Sequence, residues 1–388
     1  MSPDSAALRT LFLNHTTVPG GAELSLVRML RAHERWNAAV LLARPATPGL
    51  GAFADVPARI PVLVAGVVQR HGASSAGSSA QAANAVRLAA QAASTRVHPA
   101  FRTADVVVAN TTRSAAYGAL AARTSRIPYI VHIRDLVDPE AIGGSGAAIM
   151  ERIVLPRADG VIADTERALD SARPFARRDA VLRVVPSASG IVRRARPTRS
   201  SAPLRIGMLA RIDPWKGQEL LLEAFAAAFP AGDQRLELAG GAPFGHEDFA
   251  AHLRRRAVEL GVGDRLDLLG HVSDVDALLD QWDIAVQASL RAEPLGQNVL
   301  QYLAAGCATI VADEGGPTEW VRPEVNGLHF TARDPASLAA ALRRLADDVT
   351  LRDRLGGVAS VTPQLMTDAE AAAAHRGVYL EAARLNRR

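Results

Sequence analysis

Arg211, Lys216 and Gly217 stand on a short turn where an apolar run, Leu204–Leu209, gives way to the helical pattern Leu220, Leu221, Leu222, Ala224, Phe225. Two cations where a strand meets a helix N-terminus suit a phosphate, because the helix dipole and the first-turn N–H groups add to their charge. Lys216 is the single lysine among 44 Lys+Arg residues. A chain so biased toward arginine would supply arginine wherever either cation served. Lysine is a compact point charge and arginine a wide planar fork, so Lys216 reads as chosen for its chemistry. The other reading is a solvated turn with two incidental charges.

A second constellation runs from Ser289 to Gly306. Glu293 closes a strand end, Pro294-Leu295-Gly296 makes a turn, and a helix opens near Gly296 with Gln301 eight residues beyond Glu293. The N–H groups of Gly296, Gln297, Asn298 and Val299 would point toward an anion. Beside them, the Glu293 carboxylate can accept hydrogen bonds from sugar hydroxyls. Asp313-Glu314-Gly315-Gly316-Pro317 closes a further strand end on the same crevice.

The first half of the chain holds a third group. Asn110 ends the run Asp105–Asn110, and His132, Arg134 and Asp135 end the run that starts at Tyr129. Ligands of parallel α/β sheets gather beyond the carboxyl ends of strands, which is where these four residues fall. His132 could alternatively bond only a neighbouring loop. Gly20-Gly21 opens a helix after the strand Arg9–His15 and would expose N–H groups to an anion. Glu23 fits a first-turn dipole partner. Asp164-Thr165 closes another strand without an assignable role.

The elements that must position these residues alternate as βα units. Strands are expected at 9–15, 38–43, 60–65, 105–110, 129–135, 160–165 and 181–186, and again at 204–209, 235–239, 265–269, 284–287 and 308–312. Such alternation predicts mostly parallel, doubly wound α/β sheets. The boundaries expected are a first domain over 1–190, a polar linker over 191–202, a second domain over 203–362, and an Ala-rich terminal helix over 363–388 that lies back on the first domain. Residues 69–82, rich in Gly, Ser and Ala, read as a mobile stretch.

Composition narrows the classes. Hydrophobic content of 48%, with 30 Gly and 22 Pro in 388 residues, fits a soluble α/β chain. One cysteine, Cys307, excludes an intrachain disulfide and a cysteine-based zinc site. No stretch reaches the roughly 20 apolar residues of a spanning helix, and the start lacks a signal pattern. A cytoplasmic location is expected, with peripheral contact at the inner face of the membrane left open. The net charge of +4 is uneven: residues 1–190 are basic by 7, residues 191–202 add four arginines, and residues 203–388 are acidic by 7. Between Val56 and Ala104 there are five arginines and no acid. That stretch could meet an anionic acceptor or a membrane surface, or simply be a solvated face. Aromatics make up only 4% of the chain, which argues against a nucleic-acid partner. Asp274-Val275-Asp276 matches a metal-binding D-x-D, but the helical pattern after it reads as a capped helix start. No metal is expected. No G-x-G-x-x-G fingerprint occurs.

Taken in order, Gly20-Gly21-Ala22-Glu23, Val131-His132, Arg211 with Lys216-Gly217, Glu293-Pro294-Leu295-Gly296, Ala304-Ala305-Gly306, Gly315-Gly316-Pro317 and Asn326-Gly327-Leu328 resemble the GT-B glycosyltransferases of family 4, bacterial mannosyl- and glucosyltransferases among them. The resemblance covers nearly the whole chain. It implies two Rossmann-like domains facing across a cleft, with a nucleotide sugar held mainly by the second. Arg211 and Lys216 would bind the donor diphosphate, and Glu293 a sugar hydroxyl. Leu295 to Val299, with Gly241, would line the donor, and His271 and Val272 would border the base. His132 would reach the donor sugar, and Gly21 the phosphates or the acceptor. Asn110, Arg134 and Asp135 fall to the acceptor. Gln301 stands where the family usually has a glutamate on the ribose.

The implied activity is transfer of a hexose-type sugar from a nucleoside diphosphate to a lipid, glycan or small-molecule hydroxyl, with retention, with no metal and no further cofactor. Two other readings share the fold: an epimerase or phosphorylase, and a non-catalytic nucleotide-sugar-binding partner subunit. The donor, the acceptor and the oligomeric state are not legible.

Overall fold

The computed structural model describes residues 8–32, 37–69, 78–194, 203–242 and 246–385. The chain divides into two compact units, Met1–Ala188 with Asp368–Arg388, and Ser189–Thr367.

Unit 1 holds a seven-stranded sheet in the order β3-β2-β1-β4-β5-β6-β7. The strands are β1 Arg9–Asn14, β2 Asn37–Ala43, β3 Val62–Ala65, β4 Val106–Ala109, β5 Tyr129–Ile133, β6 Gly160–Ala163 and β7 Val181–Val184. Unit 2 holds six strands in the order β10-β9-β8-β11-β12-β13. These are β8 Arg205–Leu209, β9 Arg235–Ala239, β10 Leu266–Gly270, β11 Ile284–Gln287, β12 Ala308–Ala312 and β13 Leu328–Phe330. Neighbouring strands pair in parallel throughout both sheets. Both orders are the doubly wound Rossmann order, and each reverses beside its first strand, at β1/β4 and β8/β11. Helices on both faces explain why central strands such as Val106–Ala109 and Ala308–Ala312 are buried at every position.

Close backbone approach sets the packing of unit 2. A Cβ on Gly207 in β8 would lie 1.9 Å from the ring of Trp282. The Trp282 indole N–H donates to Glu237 at 2.8 Å, and that buried carboxylate also accepts from Arg205 at 2.9 Å. One indole therefore fills the space over the glycine while its polar edge is satisfied.

Two expectations need amendment. Within the stretch 69–82, residues 70–77 lie outside the described residues, but from Ser78 the chain is helical to Val97. That helix is tied to the end of β3 by Gln91, which accepts from Val67 N at 2.9 Å and donates to Ala65 O at 3.2 Å. Of the linker at 191–202, residues 195–202 lie outside the described residues. Arg194 is already docked on unit 2, its guanidinium 2.6 Å from Asp276 and 2.7 Å from Asp280. The helix after β12 is followed by β13 and by two helices, Pro335–Asp347 and Val349–Ala359, that carry no chemical motif.

Two further features concern later sections. Asp274 caps the helix Val275–Leu279 by accepting from Ala277 N at 3.0 Å, so the D-x-D is a helix start. The terminal helix Asp368–Leu385 packs on the helix Gly21–Ala32 and on β6 and β7.

Gly207→Ala is expected to destabilise unit 2 by about 1–3 kcal/mol, because the methyl must displace the indole from a close-packed core. Urea titration monitored by Trp fluorescence checks this; an unchanged midpoint would remove Trp282 as the reason for the glycine.

Candidate active site

In unit 2 the end of β8 leads into a turn shaped by Asp213 and Gly217. Asp213 accepts from Trp215 N at 3.4 Å, and Gly217 takes the left-handed conformation with φ of 80°. A Cβ there would lie 1.8 Å from the carbonyl of Ala288, so the turn sits directly on the end of β11. This contact brings Lys216 to Glu293. The ammonium donates to Glu293 Oε1 at 2.5 Å, and the same oxygen accepts from the Ser289 hydroxyl at 2.6 Å. The ammonium also lies 3.8 Å from the centre of the Trp215 ring, a favourable cation–π position.

Glycines hold the Glu293 backbone from the other side. Gly315 has φ of 78°, and Gly316 N donates to Glu293 O at 2.7 Å. A Cβ on Gly316 would lie 2.3 Å from Pro294 O, so the turn after β12 closes on the turn after β11 without room for a side chain. Gly296, with φ of 76°, then starts the helix Gln297–Ala304.

The remaining positions of this unit divide. The Arg211 guanidinium is half-exposed and 3.6 Å from Asp213. Leu295 is buried, Gln297 and Gln301 are half-buried, and so is Val272; His271 is exposed. The carbonyl of Gly241 accepts from Ile212 N at 2.8 Å, which fixes the loop after β9. Asn298 is an anchor: its amide donates to Leu209 O at 3.1 Å and to the Tyr302 hydroxyl at 3.3 Å. The Val299 N–H, expected to face an anion, bonds Gly296 O at 2.9 Å and Asn298 Oδ1 at 3.0 Å. The first turn tightens, and that donor is taken within the helix itself.

In unit 1 the ends of β1, β4, β5 and β6 carry one connected polar network. Arg134, at the end of β5, donates to Asn110 Oδ1 at 3.0 Å, to Ser187 Oγ at 2.7 Å and to Asp164 Oδ2 at 3.3 Å. Asn110 passes on to Asn14 Oδ1 at 3.0 Å, and Asn14 to Glu23 Oε1 at 3.2 Å. Ser187 donates to Asp164 Oδ1 at 3.0 Å, and His132 Nε2 meets that same oxygen at 3.2 Å. Asn110, His132 and Arg134 thus come together; Asp135 is half-buried next in the chain, and Gly21 is exposed at the start of its helix with open space around its Cα. Glu23 is buried and does more than face a helix dipole.

Sequence reasoning placed Asp164 at a strand end without a role, and it missed Asn14, Ser187 and His375. His375, from the terminal helix, places its ring 5.0 Å from that of His132 and donates Nδ1–H to Ala371 O at 2.7 Å. Its other nitrogen is buried with no hydrogen-bond partner. Burial alone would raise the Asp164 carboxyl, but the charge of Arg134, the His132 ring and the Ser187 hydroxyl hold it well below the usual carboxylate range. Burial, and then the Arg134 charge, lowers His132 against the opposing pull of Asp164. Burial and the neighbouring His132 push His375 down to about 3.

Two doubly wound parallel sheets, with a cation–carboxylate pair at the switch point of the second, are the elements on which GT-B glycosyltransferases are built. Comparison agrees. The family described as "Glycosyl transferases group 1" matches residues 193–359, and the "Glycosyl transferase 4-like domain" matches residues 20–188. The chain belongs to this group. It is 28% identical over 312 residues to a D-inositol 3-phosphate glycosyltransferase of Streptomyces bingchenggensis, covering 73% of this chain and 68% of that one. A protein of the same name from Geodermatophilus obscurus is 34% identical over 177 residues, covering 41% of this chain and 39% of the relative. The crystal structure of Anabaena Alr3699/HepE in complex with UDP and glucose shares the fold, with a TM-score of 0.77 at 22% identity over 96% of this chain and 100% of that one. Among the described residues no helix is long and apolar enough to cross a membrane.

The low value of His375 fixes the sign of a pH effect. The unfolded ring binds a proton below about 6.5 and the folded ring does not, so stability is lost as pH falls, at about 1.4 kcal/mol per unit. This slope persists down to about 3, the folded value. His375→Phe is expected to flatten the dependence in urea titrations at pH 7, 6, 5 and 4; an equal slope in both proteins would show that the ring protonates in place.

Proposed function

We propose that this chain transfers a hexose-type sugar from a nucleoside diphosphate to a hydroxyl of a lipid, glycan or small-molecule acceptor, with retention of configuration and without a metal. The observation that carries the reading is the Lys216–Glu293–Ser289 cluster at the β8/β11 switch point. Lys216 and Arg211 meet the diphosphate and stabilise the charge that develops as it departs, in the manner of an oxyanion site. Glu293 accepts from a sugar hydroxyl once the diphosphate draws Lys216 toward itself. Early N–H groups of the helix after Gly296 add to the phosphate site. His132 accepts from a sugar hydroxyl, and an oxygen of the departing phosphate takes the acceptor's proton. The cationic role is thereby filled by side chains, with the D-x-D residues engaged in a helix cap and an arginine pair.

The Anabaena structure holds UDP and glucose, which makes UDP-glucose the first donor to try. Two relatives are named for D-inositol 3-phosphate, and the basic excess of residues 1–190 complements such an anionic acceptor. Gln301 supports one other reading, a subunit that binds the nucleotide sugar without turnover; a carboxamide can still meet ribose hydroxyls.

A thermal-shift screen of UDP-, GDP-, ADP- and dTDP-sugars identifies the donor, since a ligand at 100 times its Kd adds about 2.7 kcal/mol. With that donor, Lys216→Ala is expected to lower kcat by about 10²–10³. Lys216→Arg restores little, because the fork does not fit a point-charge position. Transfer undiminished in Lys216→Ala would refute the site. A chelator should leave the rate unchanged, and binding without transfer or hydrolysis would favour the subunit reading.

A further inference from the structure

The network in unit 1 has a direction, and the direction determines which nitrogen of His132 is offered to a ligand. Arg134 has only donors and an ionised carboxylate only acceptors. Arg134 therefore faces the oxygen of Asn110, whose NH2 group turns to Asn14, whose NH2 group turns to Glu23. On the other branch, Ser187 Oγ accepts from Arg134 at 2.7 Å and meets Ser25 Oγ at 2.9 Å, so its one proton goes to Asp164 at 3.0 Å. Asp164 is then an acceptor on every side, with side-chain exposure of 5%. The His132 nitrogen that meets it must carry the proton.

We propose that Asp164 is the positioning residue for His132: it holds the neutral imidazole as the Nε2–H tautomer, so that Nδ1 is presented as a hydrogen-bond acceptor. The group His132 takes is consequently a donor, a sugar hydroxyl or an amide N–H, and a carboxylate or phosphate oxygen at that point is refused. Nδ1 has no hydrogen-bond partner among the described residues, yet it is not sealed in as His375 Nε2 is. The His375 ring lies 5.0 Å from that of His132 with its Nδ1–H committed to a carbonyl, and burial with the Arg134 charge opposes a second proton on His132. The facing charged and titratable groups are Arg134 and Asp164 from strand ends and His375 from the terminal helix. A neutral, tautomer-locked imidazole follows from this set. The inference deepens the role given to His132 in the proposed transfer and rests on that reading for its substrate.

The test is spectroscopic and needs no substrate. Long-range 1H–15N correlation spectra of the full-length protein report the tautomer of each imidazole, and the His132 signals are those lost in His132→Gln. At pH 7 the expected pattern is protonated Nε2 and bare Nδ1; the reverse tautomer, or an imidazolium, overturns the proposal. In Asp164→Asn, whose carboxamide can donate as well as accept, the signals should move toward a tautomer mixture, and an unchanged pattern overturns it too. Should that variant not fold, the wild-type spectrum still decides. With the donor from the thermal-shift screen, Asp164→Asn should lower kcat about 10–100-fold with KM moved far less, the loss expected when a charged hydrogen-bond network is broken. Absence of any turnover in the wild type would count against sugar transfer and leave the tautomer result standing.

Discussion

A parallel sheet has one chemically distinct edge. Every strand ends there, every helix that follows begins near there, and side chains from distant parts of the sequence meet there without further design. Both units of this chain are built on that constraint. In unit 1 the residues that share the edge are separated by as many as 150 positions, Asn14 to Asp164, and yet form one hydrogen-bonded chain. In unit 2 the edge joins Lys216 to Glu293 across 77 positions.

The two edges are managed differently. Unit 2 relies on backbone that side chains cannot occupy. Gly217, Gly315 and Gly316 let three loops approach so closely that a methyl on any of them would overlap a neighbouring backbone oxygen. The cation and the carboxylate are brought together by that packing, and both remain partly reachable, at 17% and 11% side-chain exposure. Unit 1 instead buries its polar groups and satisfies them in sequence, each amide or hydroxyl passing a bond onward from a donor-only guanidinium to acceptor-only carboxylates. Buried networks of this kind are costly when incomplete and specific when complete.

Much of this was legible in the residues themselves. The strands were readable from buried apolar runs, since strands covered on both faces are apolar at nearly every position. The turn carrying Lys216 was visible through one unusual lysine, and the helix reading of Asp274-Val275-Asp276 through the periodicity beyond it. Asn110, His132 and Arg134 could be placed because each ends a strand. Asp164 also ends a strand, at β6, and its signal was of the same kind; what it lacked was any local partner to suggest chemistry. His375 carried no signal at all. It lies mid-helix in an alanine-rich segment more than 200 positions from the residues it faces, and only the packing of that helix on β6 and the helix Gly21–Ala32 reveals its place. The helix Ser78–Val97 was obscured by its Ser- and Gly-rich approach, while its anchor, Gln91, is an ordinary surface residue by type.

The composition that drew attention to Lys216 has a practical side. With a single lysine in 388 residues, the protein holds one side-chain primary amine, and it lies at the candidate site. Reagents that acylate or reductively alkylate amines would, apart from the chain's terminal amine, have one address. An isotopic or fluorescent group introduced there would report from beside Glu293, and its rate of attachment would measure how often the ammonium leaves its carboxylate. The arginine-rich composition has left this chain a built-in, single-site label at the position where its proposed chemistry takes place.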